Sequence, residues 1–416
     1  MDRRVAVTGT GVISPVGNNT ETFWKNLLEG VCGIDFIQSI PTDDLPVKIA
    51  GEVRDFNPAD YGIEAPFARK QDKFTVFAVA AAWQAMQQAG LDAAEDGNID
   101  PFRLGVYVGS GIGGFTTQVR ETEKLLKEGP KWVSPLFIPT MISNIAAGNI
   151  AIRHNACGPC LPVVTACATS THAIGEAYRA IKHGYADAVI AGGSEAAIIP
   201  LGIAGFANAK ALSRAEDPKY ASLPFSADRG GFVMAEGAGM LVLEEYEHAV
   251  RRGATILAEV CGYGNTCDAH HVTAPRPDGV TQSSALKMAL EQAGYTSDDE
   301  LYINAHGTGT ALNDASETAA FKLALGEDAY KAHISSTKGA TGHMLGAAGA
   351  AEAIAAVMAL KDGIVPPTIN LTNPDPELDL DYTPNTPVKA DLTIAVSDSL
   401  GFGGHNGAVA FRRVGK

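Results

Sequence analysis

The sequence predicts an α/β fold built from two similar halves. At 416 residues, the chain is longer than a single hydrophobic core usually serves. Short apolar segments such as residues 188–193 alternate with helical patterns, which indicates parallel strands covered by helices. Residues 165–172 begin a helix of small side chains after a strand, and residues 337–343 lead into a second one. We therefore expect an internal repeat, with residues 1–253 as one half and residues 254–416 as the other.

Charge and cysteine content narrow the class of protein. The net charge of −15 argues against a nucleic-acid partner. No apolar segment is long enough to cross a membrane, and Gly9, Gly11 and Pro15 interrupt the N-terminal apolar stretch too early for a signal peptide. Six cysteines in a chain of this length do not form a disulfide framework, so we expect a reduced, cytoplasmic protein.

Cys167 lies where an apolar, β-branched segment meets a helix. Residues 162–165 predict the end of a strand, and residues 171–181 predict a helix. Unpaired backbone N–H groups and the positive end of the helix dipole gather at such a position. The site is therefore predicted to favour a thiolate and to hold a developing oxyanion.

Two histidines lie in turns of small residues later in the chain. His306 follows the short apolar strand 301–303, and His343 lies within residues 335–349. Glycine, threonine and alanine surround both of them, so the backbone or a ligand can approach closely. After His343, residues 345–360 are mostly alanine and glycine with the single acid Glu352, which predicts a helix buried on all sides.

The order and context of Cys167, His306 and His343 resemble the β-ketoacyl-acyl carrier protein synthases of the thiolase superfamily. Residues 398–407 are similar to the glycine-rich gate loop of that family, and the resemblance extends over essentially the whole chain. The subgroup that it most resembles is the elongating type II synthases. Asp398-Ser399-Leu400 departs from the more frequent Asn-Ser-Phe. The resemblance implies a thiolase-like fold with five α-β-α-β-α layers.

The resemblance also implies a reaction. Cys167 would take an acyl group from the phosphopantetheine of an acyl carrier protein, and His306 and His343 would donate hydrogen bonds to the enolate formed when malonyl carrier protein loses carbon dioxide. One histidine could also act as a base, and the motifs do not distinguish which. Backbone N–H groups of Cys167 and Phe402 would hold the oxyanion. Neither a metal ion nor an organic cofactor is required.

Supporting residues follow from the same resemblance. Glu352 interrupts an apolar helix and needs a partner, and Lys338 is the expected one. Phe402 is expected to gate the acyl pocket. Substrate binding is expected from Ile112 in the acyl pocket, from Thr308 and Thr310 on the pantetheine amides, and from Thr273, Gly401 and Gly403.

The carrier protein presents an acidic face, so a basic patch should receive it despite the acidic whole. The expected docking residues are Arg69, Lys70, Lys73, Lys210 and Arg214. The resemblance also implies a homodimer. A ketosynthase of a dissociated polyketide pathway is the alternative within the family, and a chain-length-factor subunit is disfavoured because such subunits typically lack the cysteine.

Two further motifs compete with this interpretation. Residues 9–14 and 109–114 approximate the glycine pattern of dinucleotide-binding proteins, but neither is accompanied by a convincing ribose-binding acid. Cys157 and Cys160 imitate a redox Cys-x-x-Cys motif, yet Pro162 and a β-branched segment follow where a redox motif would open a helix. No second pair of ligands is evident for a zinc site.

Overall fold

The computed structural model describes residues 3–415. Its strands are β1 (Val5–Ile13), β2 (Asp35–Phe36), β3 (Ile49–Ala50), β4 (Leu104–Gly109), β5 (Ala188–Glu195), β6 (Gly237–Glu245), β7 (Ala258–Cys267), β8 (Leu301–Asn304), β9 (His333–Ser335), β10 (Ile364–Val365), β11 (Val388–Lys389), β12 (Ile394–Gly401) and β13 (His405–Arg412). Its α-helices are α1 (Thr20–Leu28), α2 (Ala65–Ala68), α3 (Lys73–Ala89), α4 (Phe115–Glu128), α5 (Phe137–Met141), α6 (Ile145–Arg153), α7 (Thr169–Lys182), α8 (Pro200–Asn208), α9 (Tyr246–Arg251), α10 (Val280–Ala293), α11 (Ala311–Leu325), α12 (Lys338–Thr341) and α13 (Ala348–Asp362).

The main sheet consists of two halves with the same strand pattern. Within the described chain its order is β4-β5-β6-β1-β7-β13-β12-β8-β9. β1 pairs antiparallel with β6, which pairs antiparallel with β5, and β5 runs parallel to β4. β7, β13, β12 and β8 repeat this sequence of directions. The two halves meet where β1 and β7 pair over a short register that begins at Val5 and Val260.

The expectation of parallel sheets is therefore only partly correct. Each half combines parallel and antiparallel neighbours. A direct hairpin can join only antiparallel strands. The clearest case is the three-residue turn that joins β12 to β13, whose paired ends are Gly401 and His405. The predicted division at residues 253 and 254 falls between α9 and β7, and it stays a prediction.

Helices cover and separate the two halves. α7 contacts β5 and β13, and α13 contacts β6 and β12, so these two helices lie between the halves. α3 packs on the outer face of β1 and β6, and α10 packs on β7 and β13. This arrangement confirms the five-layer, thiolase-like fold. It also explains why α13 is apolar on every face, since residues 348–360 are all buried.

The glycines of the first dinucleotide-like motif serve packing between helix and strand. Gly9 and Gly11 lie inside β1, with no turn between them. A Cβ atom on Gly9 would lie 2.0 Å from the carbonyl oxygen of Ala85 in α3, and one on Gly11 would lie 2.0 Å from that of Ala81. The motif therefore allows α3 to approach β1 closely and does not form a phosphate-binding loop.

Among residues 3–415, no helix is both long enough and apolar enough to cross a membrane.

Candidate active site

Cys167 lies in a strained turn immediately before α7. The turn is a 3₁₀ helix over Ala166–Ala168, and Ala166 has a left-handed backbone with φ of 51°. Such a conformation costs an L-residue about 1–3 kcal/mol, so the surrounding structure has to hold it in place. The predicted strand before the cysteine is wrong: residues 161–165 form no strand, and only Cys160 makes a bridge, to Val106.

The second half repeats this turn. Leu345, with φ of 48°, opens the 3₁₀ helix Leu345–Ala347 directly before α13. Ala166 and Leu345 are therefore equivalent positions, and the counterpart of Cys167 is Gly346. Only one half carries a thiol at this position, although both halves carry the strained geometry.

The end of β12 approaches the backbone of Cys167. The backbone N–H of Phe402 hydrogen-bonds the Cys167 thiol. A Cβ atom on Gly401 would lie 3.3 Å from the backbone nitrogen of Cys167 and 2.7 Å from the carbonyl oxygen of Thr165, so a side chain there would force the strand away. This geometry supports the prediction that the N–H groups of Cys167 and Phe402 form an oxyanion hole.

The surroundings of the Cys167 thiol act on its ionisation in both directions. Burial raises the pKa of Cys167 to about 12, although the nearby Lys338 and the Phe402 N–H both act to lower it. That the helix start favours a thiolate stays a prediction, because burial opposes ionisation of the thiol while Lys338 and the Phe402 N–H group favour it. Attack by this cysteine requires a neighbouring base to take the proton during the reaction.

His306 and His343 face each other beside this thiol. Their ring centroids are 5.2 Å apart and the ring planes are 85° apart. Burial, together with the positive charge of Lys338, lowers the pKa of each histidine well below its usual range. Both imidazoles are therefore neutral, and a neutral imidazole offers one N–H donor and one acceptor nitrogen.

Backbone contacts hold each histidine in place. The backbone N–H of His343 donates to the carbonyl of Val233 at 2.7 Å, and its own carbonyl accepts from Ala235 at 2.8 Å. The backbone N–H groups of His306 and Gly307 donate to the two carboxylate oxygens of Glu317 at 2.6 and 2.8 Å. The histidine rings are thus fixed through their own main chain.

The contact predicted between Lys338 and Glu352 is present in the structure. Both side chains are buried, and their charged ends form an ion pair. Lys338 Nζ also lies 3.4 Å from His306 Nδ1. The pair therefore places a positive charge, balanced by Glu352, next to Nδ1 of His306. This charge keeps the ring neutral and leaves the other ring nitrogen to make its contacts elsewhere.

Three buried carboxyl groups of the site were not found by sequence reasoning. Glu195 accepts hydrogen bonds from the backbone N–H groups of Gly111 and Gly346 at 2.9 and 3.1 Å, and so ties the two halves together next to Cys167. Glu317 holds the His306 turn, and Asp398 contacts Glu317. A usable signal existed for Glu195, since a lone carboxylate at the end of an apolar strand requires buried partners.

One cavity of about 400 Å³ brings the predicted residues together. Cys167, His306 and His343 all line it. Of the predicted substrate-binding and gating residues, those that also line it are Thr273, Thr308, Thr310, Gly401 and Phe402. The Phe402 ring lies 6.3 Å from that of Phe206, and it is carried by a turn in which Gly403 and Gly404 have φ of 90° and 79°.

Two predicted substrate-binding residues lie elsewhere. Ile112 does not line this cavity and is 37% exposed in the single chain, and its backbone N–H donates to Glu195 at 3.2 Å. Gly403 does not line the cavity either, and its N–H donates to the carbonyl of Val272 at 2.7 Å. Their roles in binding stay predictions.

The predicted docking residues divide into two groups. Arg69, Lys70, Lys210 and Arg214 are exposed, and Lys210 also lines the cavity. Lys73 instead pairs with the buried carboxylate of Glu236 at 2.6 Å. Lys73 is exposed like the other four residues, but its charge also compensates an internal carboxylate, and its docking role stays a prediction.

The sequence also contains a Cys-x-x-Cys motif, for which a redox pair and a zinc site were considered. Cys157 and Cys160 are both exposed and both free. Within residues 3–415, no group of three or more His, Cys, Asp or Glu side chains is arranged to hold a metal ion.

Comparison with known proteins agrees with this geometry. The family model described as "Beta-ketoacyl synthase, N-terminal domain" matches residues 2–249, and "Beta-ketoacyl synthase, C-terminal domain" matches residues 257–372. A protein of Synechocystis sp. named 3-oxoacyl-[acyl-carrier-protein] synthase 2 is 48% identical over 412 residues, covering 99% of this chain and 98% of its own. A protein of the same name from Staphylococcus aureus is 47% identical and covers 99% of each chain.

Solved structures show the same similarity. A type II PKS acyl-carrier protein in complex with its ketosynthase bound to the hexaketide has a TM-score of 0.90, with 35% identity and full coverage of both chains. A β-ketoacyl synthase from Burkholderia phymatum has a TM-score of 0.91, with 34% identity, covering 99% of this chain and 100% of its own. Because these family models match residues 2–249 and 257–372, and relatives that are 47–48% identical match nearly the whole chain, the chain belongs to the β-ketoacyl synthase family.

Proposed function

We propose that this protein condenses malonyl-acyl carrier protein with an acyl group held on Cys167, releasing carbon dioxide and forming 3-oxoacyl-acyl carrier protein in fatty acid elongation. The observation that carries the proposal is the single cavity in which the Cys167 thiol meets His306 and His343. The relatives that are 47–48% identical are named for this reaction, which supports the same substrate class here.

The first half-reaction transfers the acyl group. The Cys167 sulfur attacks the thioester carbonyl, and its proton passes to a neutral imidazole of the histidine pair. The oxyanion that forms is held by the backbone N–H groups of Cys167 and Phe402, the second of which already contacts the thiol. The carbon–sulfur bond to the carrier's pantetheine then breaks, and the departing thiolate takes the proton.

The second half-reaction forms the carbon–carbon bond. His306 and His343 donate N–H hydrogen bonds to the thioester oxygen of the malonyl group. The bond to the carboxylate breaks, carbon dioxide leaves, and the electron pair forms an enolate. The enolate carbon attacks the Cys167 thioester, and collapse of the tetrahedral intermediate releases the cysteine sulfur. Each neutral imidazole carries one N–H group, so each ring can donate one hydrogen bond to this oxygen.

A dissociated polyketide pathway is the second candidate, since a structure with 35% identity is that of a type II PKS ketosynthase with its carrier protein. Product mass separates the two candidates. With acyl carrier proteins of graded chain length and malonyl carrier protein, the elongation enzyme should add one malonyl-derived unit per acyl chain. Repeated additions without reduction would favour the polyketide pathway, and the absence of any condensation product would contradict the proposed function.

Docking of the carrier is expected to depend on the exposed cations Arg69, Lys70 and Lys210, of which Lys210 lines the cavity. Changing Arg69, Lys70 and Lys210 to glutamate should raise KM for acyl carrier protein about tenfold or more at low ionic strength, because attraction to the acidic carrier becomes repulsion. Steady-state kinetics at several salt concentrations measure the effect. The difference between parent and variant should shrink as salt rises.

The matched control makes the same charge change elsewhere. Lys287, Lys361 and Lys389 are exposed and do not line the cavity, so their reversal to glutamate should leave KM for the carrier close to that of the parent. The docking variant should still react normally with a small acyl thioester. Equal carrier kinetics for parent and docking variant at low salt would place docking elsewhere on the surface.

We also propose that a second copy of the chain covers one edge of the sheet. Residue Cys160 bridges to β4, the outermost strand on that side. The nearby side chains of Leu161 and Val164 are 54% and 49% exposed, and an uncovered apolar edge pairs readily with the same edge of another copy. The predicted homodimer should therefore sediment at twice the chain mass, and changing Leu161 and Val164 to aspartate should give monomers. A parent protein that sediments as a monomer would contradict the proposal.

A further inference from the structure

Two buried carboxyl groups contact each other behind the His306 turn. Asp398 lies on β12 and Glu317 lies on α11. Their side chains are in hydrogen-bonding contact, and the two residues are 3% and 0% exposed. Neither lines the cavity in which Cys167 lies.

Glu317 links this contact to the proposed catalytic machinery. Its two oxygens accept the backbone N–H groups of His306 and Gly307 and the amide of Asn313, at 2.6, 2.8 and 3.1 Å. Asp398 accepts the backbone N–H of Ser399. A movement of Glu317 would therefore displace the backbone that carries the His306 ring.

The charges around the pair do not allow both groups to be ionised. Lys338, on α12, is the cation that faces them, and its ammonium already forms an ion pair with Glu352 of α13. Asp314 of α11 adds a further carboxyl group close to Glu317. Two buried carboxyl groups in contact, with their nearest cation already paired, retain a proton between them.

We propose that Asp398 and Glu317 share one proton, and that this hydrogen-bonded pair is a positioning device for His306. The kinetic part of this inference rests on the proposed function, whereas the shared proton does not. The Asp398 carboxyl can donate to Glu317 only while the pair keeps its proton.

The direction of the pH effect follows from the environment. Burial raises the pKa of Asp398 to about 7, and burial with the neighbouring carboxyl groups raises the pKa of Glu317 well above its usual range. When the shared proton leaves, two like charges repel in a buried site. Glu317 is then driven from its position, and the added negative charge opposes enolate formation near His306.

The pair also makes stability depend on pH. An exposed carboxyl group in the unfolded chain ionises near pH 4, whereas the pair in the folded chain keeps its proton to about pH 7. The folded state therefore binds more protons over this interval. The stabilisation is fully present below the lower value and is lost as pH rises through the upper one.

Asp398→Asn tests the kinetic consequence. In the parent, kcat for malonyl decarboxylation should fall above neutral pH, approaching about tenfold for each pH unit beyond the pKa. In the variant this alkaline fall should shift upward or disappear, because the amide has no proton to lose. Asp379→Asn is the matched control: it removes a surface carboxylate paired with Lys322 of α11, and its pH profile should match that of the parent. Superimposable profiles for Asp398→Asn and parent would overturn the positioning role.

Infrared difference spectroscopy tests the shared proton without any substrate. The parent should lose a protonated carboxyl C=O band between mildly acidic and alkaline pH, and both Asp398→Asn and Glu317→Gln should lack this band. Elemental analysis of the same samples tests for a bound cation. A stoichiometric cation in place of the proton, with no carboxylic acid band, would overturn the proposal. If the band is present in a protein that never condenses, the proposed function fails and the shared proton stands.

Discussion

Replacing Cys167 with alanine is expected to abolish condensation. The acyl group must be held as a thioester on this sulfur while the malonyl group enters, and no other thiol lines the cavity. Incubation of the parent with an acyl carrier protein should add one acyl mass to the peptide that contains Cys167. Peptide mass spectrometry and the yield of 3-oxoacyl product measure the two effects.

Matched variants separate the role of this thiol from general damage. Cys157 and Cys160 are free and exposed, so their joint change to alanine should leave acylation in place. Cys167→Gln keeps a side chain in the same turn and leaves both histidines, so malonyl decarboxylation should persist or increase while condensation is lost. An acyl adduct on Cys157 or Cys160 would contradict the assignment.

The second large effect is expected at the histidine pair. His306→Ala and His343→Ala should each lower the rate of malonyl decarboxylation by about 10²–10³-fold, because each removes one donor to the developing enolate. Release of carbon dioxide from malonyl carrier protein measures this step directly. Both rings are neutral in the resting protein, so the loss is that of an oriented N–H group and not that of a positive charge.

Acyl transfer distinguishes this role from a structural one. Acylation of Cys167 should survive better than condensation in each single histidine variant, because the remaining imidazole can still take the thiol proton and backbone N–H groups hold the oxyanion of that step. His333, which is paired with Glu300 through its side chain, does not line the cavity, and His333→Ala should decarboxylate at the parent rate. If both histidine variants still release carbon dioxide at the parent rate, the histidines do not stabilise the enolate.

The repeated architecture could be predicted from the sequence, because its strands and helices depend on the pattern of neighbouring residues. Strand 188–193 and strand 301–303 were predicted from short apolar segments, and both lie within observed strands, β5 and β8. The buried α13 was predicted from its alanine-rich composition, since a helix with no polar face has to be covered on all sides. The direction of each strand was less accessible, because pairing joins segments far apart in the chain.

The residues of the proposed active site could also be predicted from the sequence, but their ionisation states could not. Cys167, His306 and His343 were found from their small-residue turns, and the contact between Lys338 and Glu352 followed from the need to pair a buried charge. The helix start suggested a thiolate at Cys167, whereas burial raises the pKa of this thiol to about 12. Solvation depends on every atom that surrounds a group, and neighbouring sequence supplies only a few of these atoms.

Local sequence was enough to predict the family, the two-part α/β architecture and the three side chains that meet in the cavity. Only the folded chain shows where charges are compensated. In it, Lys73 pairs with the buried Glu236, Ile112 lies outside the lining of the cavity, and Asp398 contacts Glu317 behind His306. Motifs record which groups are present along the chain, whereas the ionisation of a buried group depends on partners that folding brings from distant segments.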